Sequence, residues 1–234
     1  MMSPIPESYE SVKERITGAA ESSGRDPSGI ELIAVSKTWP ADTIAELAEC
    51  GHDLFGENRV QELEAKVPAL PARLRWHFIG HLQKNKIRKV LPVVETIHSV
   101  DSSDLAGRIN RIAADLGLFP KIYLQVNTAG EAGKFGFSAD EIRKEFDALL
   151  ELERIEIIGL MAIPPLTSDP EATRREFTAL RELRDELTAH SGLPLTGLSM
   201  GMSHDYEIAI EEGSTAVRVG SSIFGTRKSR KVAG

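Results

Sequence analysis

The stretch that decides the fold is Glu31-Leu-Ile-Ala-Val-Ser-Lys-Thr38. Its apolar part, Leu32–Val35, is rich in residues that favour β-strands, and Ala41–Cys50 beyond it carries a helical pattern. Lys37 stands where this strand gives way to a loop. Most lysines lie in water, but a lysine buried at a strand end loses proton affinity and its neutral amine attacks carbonyl groups. The stretch therefore leaves two interpretations of Lys37 open, a solvated strand end and a reactive amine.

The same strand–helix unit recurs along the chain. The predicted strands are Leu32–Val35, Asp53–Phe55, Trp76–Ile79, Val93–Ser99, Lys121–Asn127, Ile155–Ile163, Leu195–Met200 and Thr215–Gly220. The predicted helices between them are Ala41–Cys50, Val60–Lys66, Lys84–Val90, Ser103–Leu116, Ala139–Leu152, Pro170–His190 and Asp205–Glu212, after an opening helix at Glu7–Ala20. Alternating strands and helices imply a parallel sheet with right-handed crossovers.

Eight such units in 234 residues predict an α/β protein, a single (β/α)8 TIM barrel with an extra N-terminal helix. An open doubly wound sheet with edge strands is the alternative. We find no linker, low-complexity tract or shift in composition, so we expect one domain over residues 1–234.

The bulk composition restricts the partners and the compartment. The chain is 41% hydrophobic and 27% charged, with a net charge of -7, which argues against nucleic acid or an anionic membrane as partner. No apolar run has the length of a membrane span, and residues 1–24 lack the apolar core of a signal peptide. Cys50 is the single cysteine, so no intrachain disulfide is possible and we expect the protein in the cytoplasm.

The ends of the predicted strands are polar, small or flexible. In a barrel of this kind the site lies at the carboxyl ends of the strands, and a phosphate is often held after strands seven and eight. Here the last two segments contain Gly201 and Ser203, and then Gly220-Ser221-Ser222. Glycine lets backbone approach a ligand closely, and serine hydroxyls and backbone amides bind anions. These segments predict a phosphate cradle, although two ordinary serine caps and a glycine turn would have the same spacing.

Arg218 lies in Ala216-Val-Arg-Val-Gly220, an otherwise apolar strand. If Val217 and Val219 face the helices, Arg218 points into the barrel, where a permanent charge needs an acceptor. A structural salt bridge is one interpretation, and donation to a ring nitrogen of a cofactor is the other. An amine that forms an imine, a phosphate cradle and a donor for a pyridine nitrogen are together what pyridoxal phosphate (PLP) requires.

Other candidate residues have weaker support. Asn58 follows the second strand and either binds the cofactor or caps the next helix. His81 is better placed for a site than His77, which lies within the third strand. Glu131 and Lys134 belong to a loop over residues 127–136 that forms either a lid or ordinary surface. No set of ligands has the spacing of a metal site, and a serine-hydrolase nucleophile elbow is absent.

The motifs resemble those of the YggS/PROSC family of pyridoxal phosphate homeostasis proteins. The matching segments are Ala34–Thr38, Phe55–Glu62, Trp76–Lys86, His98–Asp101, Gln125–Asn127, Gly159–Met161, Leu198–Ser203, Val217–Gly220 and Ile223–Gly225. The resemblance implies a barrel similar to the N-terminal domain of bacterial alanine racemase. Asn127-Thr-Ala-Gly-Glu131 departs from the serine-bearing loop of that family.

The resemblance also implies roles for individual residues. It implies a Schiff base at Lys37, phosphate contacts around Ser203 and Gly220–Ser222, and Arg218 near the pyridine nitrogen. The residues that we expect to bind the cofactor are Lys37, Asn58, His81, Met200, Ser203, Arg218, Gly220, Ser221 and Ser222.

A carrier of the cofactor is favoured over an enzyme. An arginine at the ring nitrogen cannot readily give it a proton, so the ring is a poor electron sink. Racemisation needs a second acid/base, and Tyr9, Tyr123 and Tyr206 are not obviously placed for that role. The alternatives are a PLP-dependent amino-acid racemase or lyase of low activity, and an aldolase-like barrel that forms a lysine imine with sugar phosphates. We expect a monomer whose candidate recipients are PLP-dependent enzymes in their apo forms.

Overall fold

Eight parallel strands close into a barrel in which every strand pairs with its neighbours in sequence, and the first strand pairs with the eighth. This computed structural model describes residues 4–131 and 133–226. The predicted domain of residues 1–234 therefore has both of its ends, and Ala132 in the 127–136 loop, outside the described residues. The predicted TIM barrel is confirmed.

The strands and helices follow one another in regular alternation. The strands are β1 (Glu31–Val35), β2 (Leu54–Glu57), β3 (Arg75–Phe78), β4 (Thr96–Val100), β5 (Lys121–Val126), β6 (Glu156–Ala162), β7 (Gly197–Met202) and β8 (Ala216–Val219). The helices are α1 (Ile5–Ser22), α2 (Ala41–Glu49), α3 (Val60–Lys66), α4 (Ile87–Val90), α5 (Ser103–Leu116), α6 (Ala139–Leu150), α7 (Pro170–Ser191), α8 (Tyr206–Glu211) and α9 (Ser221–Phe224).

Element boundaries differ from prediction where short turns intervene. The predicted helix Lys84–Val90 is a 3₁₀ turn, Lys84–Lys86, followed by the short α4. Strand β7 runs to Met202, two residues beyond its predicted end. Helix ends follow local chemistry: Ser138 and Glu141 form a capping box at α6, and Gly117 ends α5 in a left-handed conformation.

The predicted extra N-terminal helix is confirmed. It packs against α8 and α9, which belong to the last two βα units. Arg15 of α1 forms a bidentate ion pair with Glu207 of α8, with nitrogen–oxygen distances of 3.1 and 2.5 Å. On its apolar face, the Tyr9 ring meets the His52 ring edge-on at 5.3 Å between centroids. Burial of an apolar or aromatic side chain of this size stabilises a fold by about 1.5–3 kcal/mol.

Alternation along the strands divides apolar from polar layers. Most of the apolar core lies between the outer face of the strands and the helices. Inside the barrel, a small apolar layer of Ile33, Leu54 and Ala216 closes the first part of the lumen. Other interior side chains are polar and buried, namely His77, His98, Ser199 and Arg218. The buried polar side chains of the barrel therefore lie mainly inside it, while most of the apolar core lies outside it.

Candidate functional site

A cavity of about 440 Å³ opens at the carboxyl ends of the strands. The residues that line it come from the segments after β1, β2, β3, β6, β7 and β8, which is where a barrel of this kind places its site. Of the nine predicted cofactor-binding residues, the structure brings six to the cavity wall, namely Lys37, Asn58, Ser203, Arg218, Gly220 and Ser221. The volume falls within the usual range for small-molecule sites, about 300–1,000 Å³.

Lys37 reaches this cavity because of strand parity. Ile33 and Val35 face the barrel lumen, and Lys37, two residues beyond Val35, continues the same alternation. The side chain is exposed, at the mouth of the cavity. Burial is therefore not the source of any reactivity at Lys37, contrary to the sequence argument for a desolvated amine.

The buried lysine of this region is Lys66, at the end of α3. Lys66 is 7% exposed. Its ammonium donates to Glu57 Oε1 at 2.6 Å, to Glu62 Oε2 at 2.7 Å and to the Ser36 carbonyl at 3.0 Å. An ammonium has three N–H donors, so each of them has a partner. We call Lys66, Glu57 and Glu62 the Lys66 cluster. Glu57 ends β2 and the other two residues belong to α3, so the cluster lies on the outer side of the barrel beside the end of β1.

The Lys66 cluster holds both chain neighbours of Lys37. The Ser36 hydroxyl donates to Glu57 Oε1 at 2.7 Å, and the Thr38 amide donates to Glu62 Oε2 at 2.5 Å. Thr38 has a φ of 66°, a left-handed conformation that is uncommon for a β-branched residue. Strain of this kind persists where the surroundings over-determine it, often at functional sites. The cluster thus fixes the backbone from which Lys37 extends.

The two carboxylates of the cluster have opposite pKa shifts. Burial raises the pKa of Glu57, against the hydrogen bonds from Lys66 and Ser36. Burial also opposes ionisation of Glu62, but hydrogen bonds from Lys66 and Thr38 outweigh it and lower the pKa of that carboxyl. Glu57 Oε2 is buried without a hydrogen-bond partner among the described residues. The only sign of this cluster in the sequence is the i,i+4 spacing of Glu62 and Lys66, which is that of a helical ion pair.

Arg218 points into the barrel as predicted, and it is 4% exposed. Its guanidinium donates to the Ser199 hydroxyl and, at 2.9 Å, to the Ala162 carbonyl, both of them neutral acceptors. Burial lowers its pKa to about 10, a shift that the charge of Asp205 opposes. Within residues 4–131 and 133–226 no carboxylate forms an ion pair with Arg218, so the structural salt bridge considered from the sequence is wrong.

The segments after β7 and β8 meet through one hydroxyl. Ser203 Oγ accepts from the Gly220 amide at 3.0 Å and from the Ser222 amide at 3.4 Å. A hydroxyl has two lone pairs and one proton, so its remaining capacity is as a donor. The Ser222 hydroxyl donates to the Ser203 carbonyl at 3.1 Å and so ties the two segments together from behind. A Cβ at position 220 would lie 3.3 Å from the Val35 carbonyl oxygen, so the backbone segments pack tightly at Gly220.

Comparison with known proteins places this arrangement in a family. A family model described as "Alanine racemase, N-terminal domain" matches residues 11–228. A pyridoxal phosphate homeostasis protein of Aquifex aeolicus is 44% identical over 218 residues, which cover 93% of this chain and 96% of the relative. The chain belongs to the pyridoxal phosphate homeostasis protein family. PipY of Synechococcus elongatus, solved with PLP bound, is 42% identical with a TM-score of 0.80 and covers 92% of this chain and 100% of its own.

A more distant likeness concerns the fold alone. An alanine racemase of Clostridium difficile has 19% identity and a TM-score of 0.70, over 93% of this chain and 56% of the racemase. The family thus shares its barrel with a longer protein, as the resemblance seen in the sequence implied.

In this member of the homeostasis protein family, Met200 lies away from the cavity wall. It is fully buried in the core between the strands and the helices, and Met202 lines the cavity instead. The register between β7 and β8 shifts by one residue, from Ser199 opposite Ala216 to Met202 opposite Arg218. Gly201, with a φ of 95°, accommodates this bulge. Because Ser199 faces the lumen, its neighbour Met200 faces the helices, and the bulge then turns Met202 to the cavity wall. The predicted cofactor contact of Met200 therefore has no place on that wall in the structure.

The structure places Asn58 on the cavity wall and His81 outside the cavity. Asn58 lines the cavity, and its side-chain oxygen is buried without a hydrogen-bond partner among the described residues. His81 lies outside the cavity, 3.2 Å from the carboxylate of Asp101 and stacked on Phe135 with 3.9 Å between ring centroids. The structure therefore supports Asn58 as a site residue and gives His81 a surface role beside the cavity.

The loop over residues 127–136 does not line the cavity in its described part. Glu131 and Lys134 form an ion pair of 2.7 Å, and the Asn127 side chain donates to the Glu131 carbonyl at 3.0 Å. Ala132 lies outside the described residues. The prediction of a lid thus remains a prediction.

Among the residues that the structure describes, no group of three or more His, Cys, Asp or Glu side chains is arranged to hold a metal ion. In the same residues, no helix combines the length and the apolar character needed to cross a membrane.

Proposed function

We propose that this protein binds pyridoxal 5'-phosphate as a reversible Schiff base on Lys37, and holds and releases it as part of vitamin B6 homeostasis. The observation that carries the proposal is Arg218, a buried cation on the wall of the same cavity as the exposed Lys37 amine, with no carboxylate partner of its own among the described residues. An isolated buried charge is costly, so the site favours a ligand with acceptor atoms and negative charge. Pyridoxal phosphate has a ring nitrogen and a phosphate dianion.

The cavity supplies the remaining contacts. The Ser203 hydroxyl has its proton left to donate, and Ser221, the first residue of α9, also lines the cavity. These groups suit the phosphate. Bound pyridoxal phosphate supplies an aldehyde, which condenses with an amine to form an imine and one water. Because this reaction reverses in water, the same linkage permits both holding and release.

A carrier fits the described side chains better than a racemase or a lyase. None of the three tyrosines lines the cavity. Tyr123 is buried within the barrel, and burial raises its pKa to about 12, so it is a poor base near neutral pH. His204 does line the cavity, but it follows Ser203 at the phosphate end and pairs with Asp205 at 3.3 Å. A second acid/base for the opposite face of a substrate carbon is therefore not provided by these residues.

The proposal extends to compartment and partners. A single cysteine and the net charge of -7 are consistent with a cytoplasmic protein that does not bind nucleic acid. We propose apo forms of PLP-dependent enzymes as the recipients, and a monomer as the carrier.

The test is a spectrum of the purified protein with pyridoxal phosphate, followed by borohydride reduction and mass mapping of the labelled peptide. We expect an imine absorbance band, a label on Lys37, and loss of both in Lys37→Ala with an unchanged fold by circular dichroism. Lys84→Ala, at an exposed position of the same barrel end, is the matched control and keeps both. A label on another lysine would refute the proposal.

Further arms of the same experiment separate the alternatives. Trapping of a sugar phosphate in place of pyridoxal phosphate would favour the aldolase-like barrel. Turnover of a panel of amino acids at rates typical of enzymes, with a median kcat of about 10 per second, would favour the racemase or lyase.

A further inference from the structure

A column of hydrogen bonds crosses the barrel interior from Arg218 towards its opposite end. Arg218 contacts the Ser199 hydroxyl, Ser199 Oγ lies 2.7 Å from His98 Nδ1, and His98 Nε2 lies 2.9 Å from His77 Nδ1. Ser199 and His98 are fully buried and His77 is 2% exposed. The four side chains come from β8, β7, β4 and β3. We call Ser199, His98 and His77 the interior column.

The direction of every proton in this column follows from its first member. A guanidinium has no acceptor, so Arg218 donates to Ser199. Within the described residues, Ser199 Oγ has one other partner, His98 Nδ1. A buried hydroxyl proton left unpaired costs about 1–3 kcal/mol, so Ser199 donates to His98. His98 Nδ1 then accepts, and its proton is on Nε2, from which it donates to His77 Nδ1.

The far end of the column agrees with this direction. His77 carries its proton on Nε2, an atom that is buried, has no hydrogen-bond partner among the described residues, and lies 3.9 Å from a carboxylate oxygen of Glu95. A proton facing a carboxylate is attracted, whereas the reverse direction would set a nitrogen lone pair against it. Both ends of the column therefore indicate the same direction of donation, from Ser199 to His98 and from His98 to His77.

Burial, together with the nearby positive charges, keeps both histidines neutral. Burial lowers the pKa of His77 to about 3, with Arg75 and Lys121 nearby, and it lowers the pKa of His98 well below its usual value, with His77 and Arg218 nearby. Tyr123 stacks on His98 at 4.4 Å between centroids, and Glu31 is the other charged group near that tyrosine. A neutral column presents the negative end of each O–H and N–H dipole towards Arg218.

We propose that Ser199, His98 and His77 are positioning residues that hold Arg218 charged and aimed at the cavity, so that it donates to the ring nitrogen of the bound cofactor and leaves that nitrogen unprotonated. Aligned neutral dipoles can stabilise a buried cation without cancelling its charge, as an ion pair with a carboxylate would. The column is a property of the protein alone, and its effect on the ring nitrogen rests on the proposed function.

The first experiment is nitrogen NMR of the histidine side chains in the intact protein without cofactor. We expect His77 and His98 as neutral Nε2–H tautomers that do not titrate between about pH 5 and 8, where an ordinary histidine does. An Nδ1–H tautomer at either residue, or protonation of either one in that range, would overturn the proposal. This measurement needs no variant.

The second experiment breaks the column with Ser199→Ala and reads the ring nitrogen of ¹⁵N-labelled pyridoxal phosphate by NMR. The matched control is Ser214→Ala, a fully buried serine whose hydroxyl bonds to backbone carbonyls of β7 and β8 and not to the column. We expect an unprotonated, hydrogen-bonded ring nitrogen in the parent and in Ser214→Ala. In Ser199→Ala we expect a shifted nitrogen resonance, a His98 tautomer that is no longer uniform, and cofactor affinity reduced about tenfold, which corresponds to one lost hydrogen bond.

The outcomes separate this inference from the proposed function. If borohydride does not trap the cofactor on Lys37 of the parent protein, the proposed function fails and the histidine tautomers still test the column. If trapping succeeds but Ser199→Ala and Ser214→Ala give the same ring-nitrogen resonance, the positioning role is refuted while the function stands.

Discussion

Lys66 and Arg218 are both buried cations near the carboxyl end of the barrel, and the chain compensates them differently. Lys66 lies outside the strands and has two carboxylates and a carbonyl for its three donors. Arg218 lies inside the strands and has a hydroxyl and a carbonyl, with no ion pair among the described residues. For Lys66 the chain itself supplies a partner to every donor and carboxylates that balance the charge. Arg218 is left with its charge uncancelled, which is what a site for an anionic ligand requires.

The difference also explains the place of Lys37. Lys37, the amine that we propose to meet the cofactor from solution, lies at the cavity mouth, whereas the buried amine of Lys66 supports the backbone at Ser36, next to Lys37. In this molecule burial marks the supporting lysine and not the candidate nucleophile.

The largest effect that tests the comparison is expected at Lys66. Lys66→Met leaves the buried Glu57 and the half-buried Glu62 beside each other without their cation, and breaking a buried ion pair in this way costs about 3–5 kcal/mol of unfolding free energy. Urea unfolding measures the loss. Lys89→Met, whose partner Glu64 is exposed, is the control and should cost less than about 1 kcal/mol. Equal losses in the two variants would contradict the supporting role of Lys66.

Acid should destabilise the protein through the histidines beneath Arg218. Because burial lowers the pKa of His77 to about 3 and that of His98 well below its usual value, the unfolded chain binds more protons than the folded one below about pH 6.5. The unfolding free energy should therefore fall as pH falls, by up to about 1.4 kcal/mol per pH unit for each histidine. Urea unfolding between pH 6.5 and 4.5 measures the slope.

A substitution at His77 isolates its share of that slope. His77→Gln should make the slope shallower by about one proton, while His190→Gln, at an exposed position, should leave it nearly unchanged. A slope that is identical in the parent and in His77→Gln would mean that the interior histidine does not resist protonation.

Ser203→Ala tests where the anion is held. Removing the hydroxyl takes away one donor to the phosphate, so the dissociation constant for pyridoxal phosphate should rise about tenfold, from the loss of a charge-assisted hydrogen bond of about 1.5 kcal/mol. Pyridoxal, which lacks the phosphate, should bind the variant and the parent almost equally. Titration by absorbance compares the two ligands, and an equal loss for both would refute the phosphate contact.

The smallest expected effect is on the stability of the cofactor-free protein in Arg218→Met. Losing the hydrogen bonds to Ser199 and Ala162 is offset by removing a desolvated charge, so the unfolding free energy should change by no more than about 1 kcal/mol. Cofactor binding should nevertheless weaken. A loss of stability as large as that of Lys66→Met would show that the two cations are compensated alike, and the comparison would fail.

Sequence alone was enough for the order of elements and for the candidate residues that follow from strand parity. Short apolar strands alternating with amphipathic helices predict eight βα units, and alternation within Ala216–Gly220 turns Arg218 inwards. Lys37, Ser203 and Gly220 lie at strand ends, and a closed parallel barrel collects all strand ends at one face. These conclusions depend on local periodicity and topology, which are written in the order of the residues.

Tertiary structure decided what depends on register and on partners far apart in the chain. The bulge at Gly201 brings Met202 to the cavity, because one extra residue reverses strand parity between Met200 and Met202. The Lys66 cluster joins β1, β2 and α3, and the interior column joins His98 to Ser199 across 101 positions. Hydrogen-bond partners and the desolvation of a charge are set by which side chains meet after closure, so local patterns do not contain them.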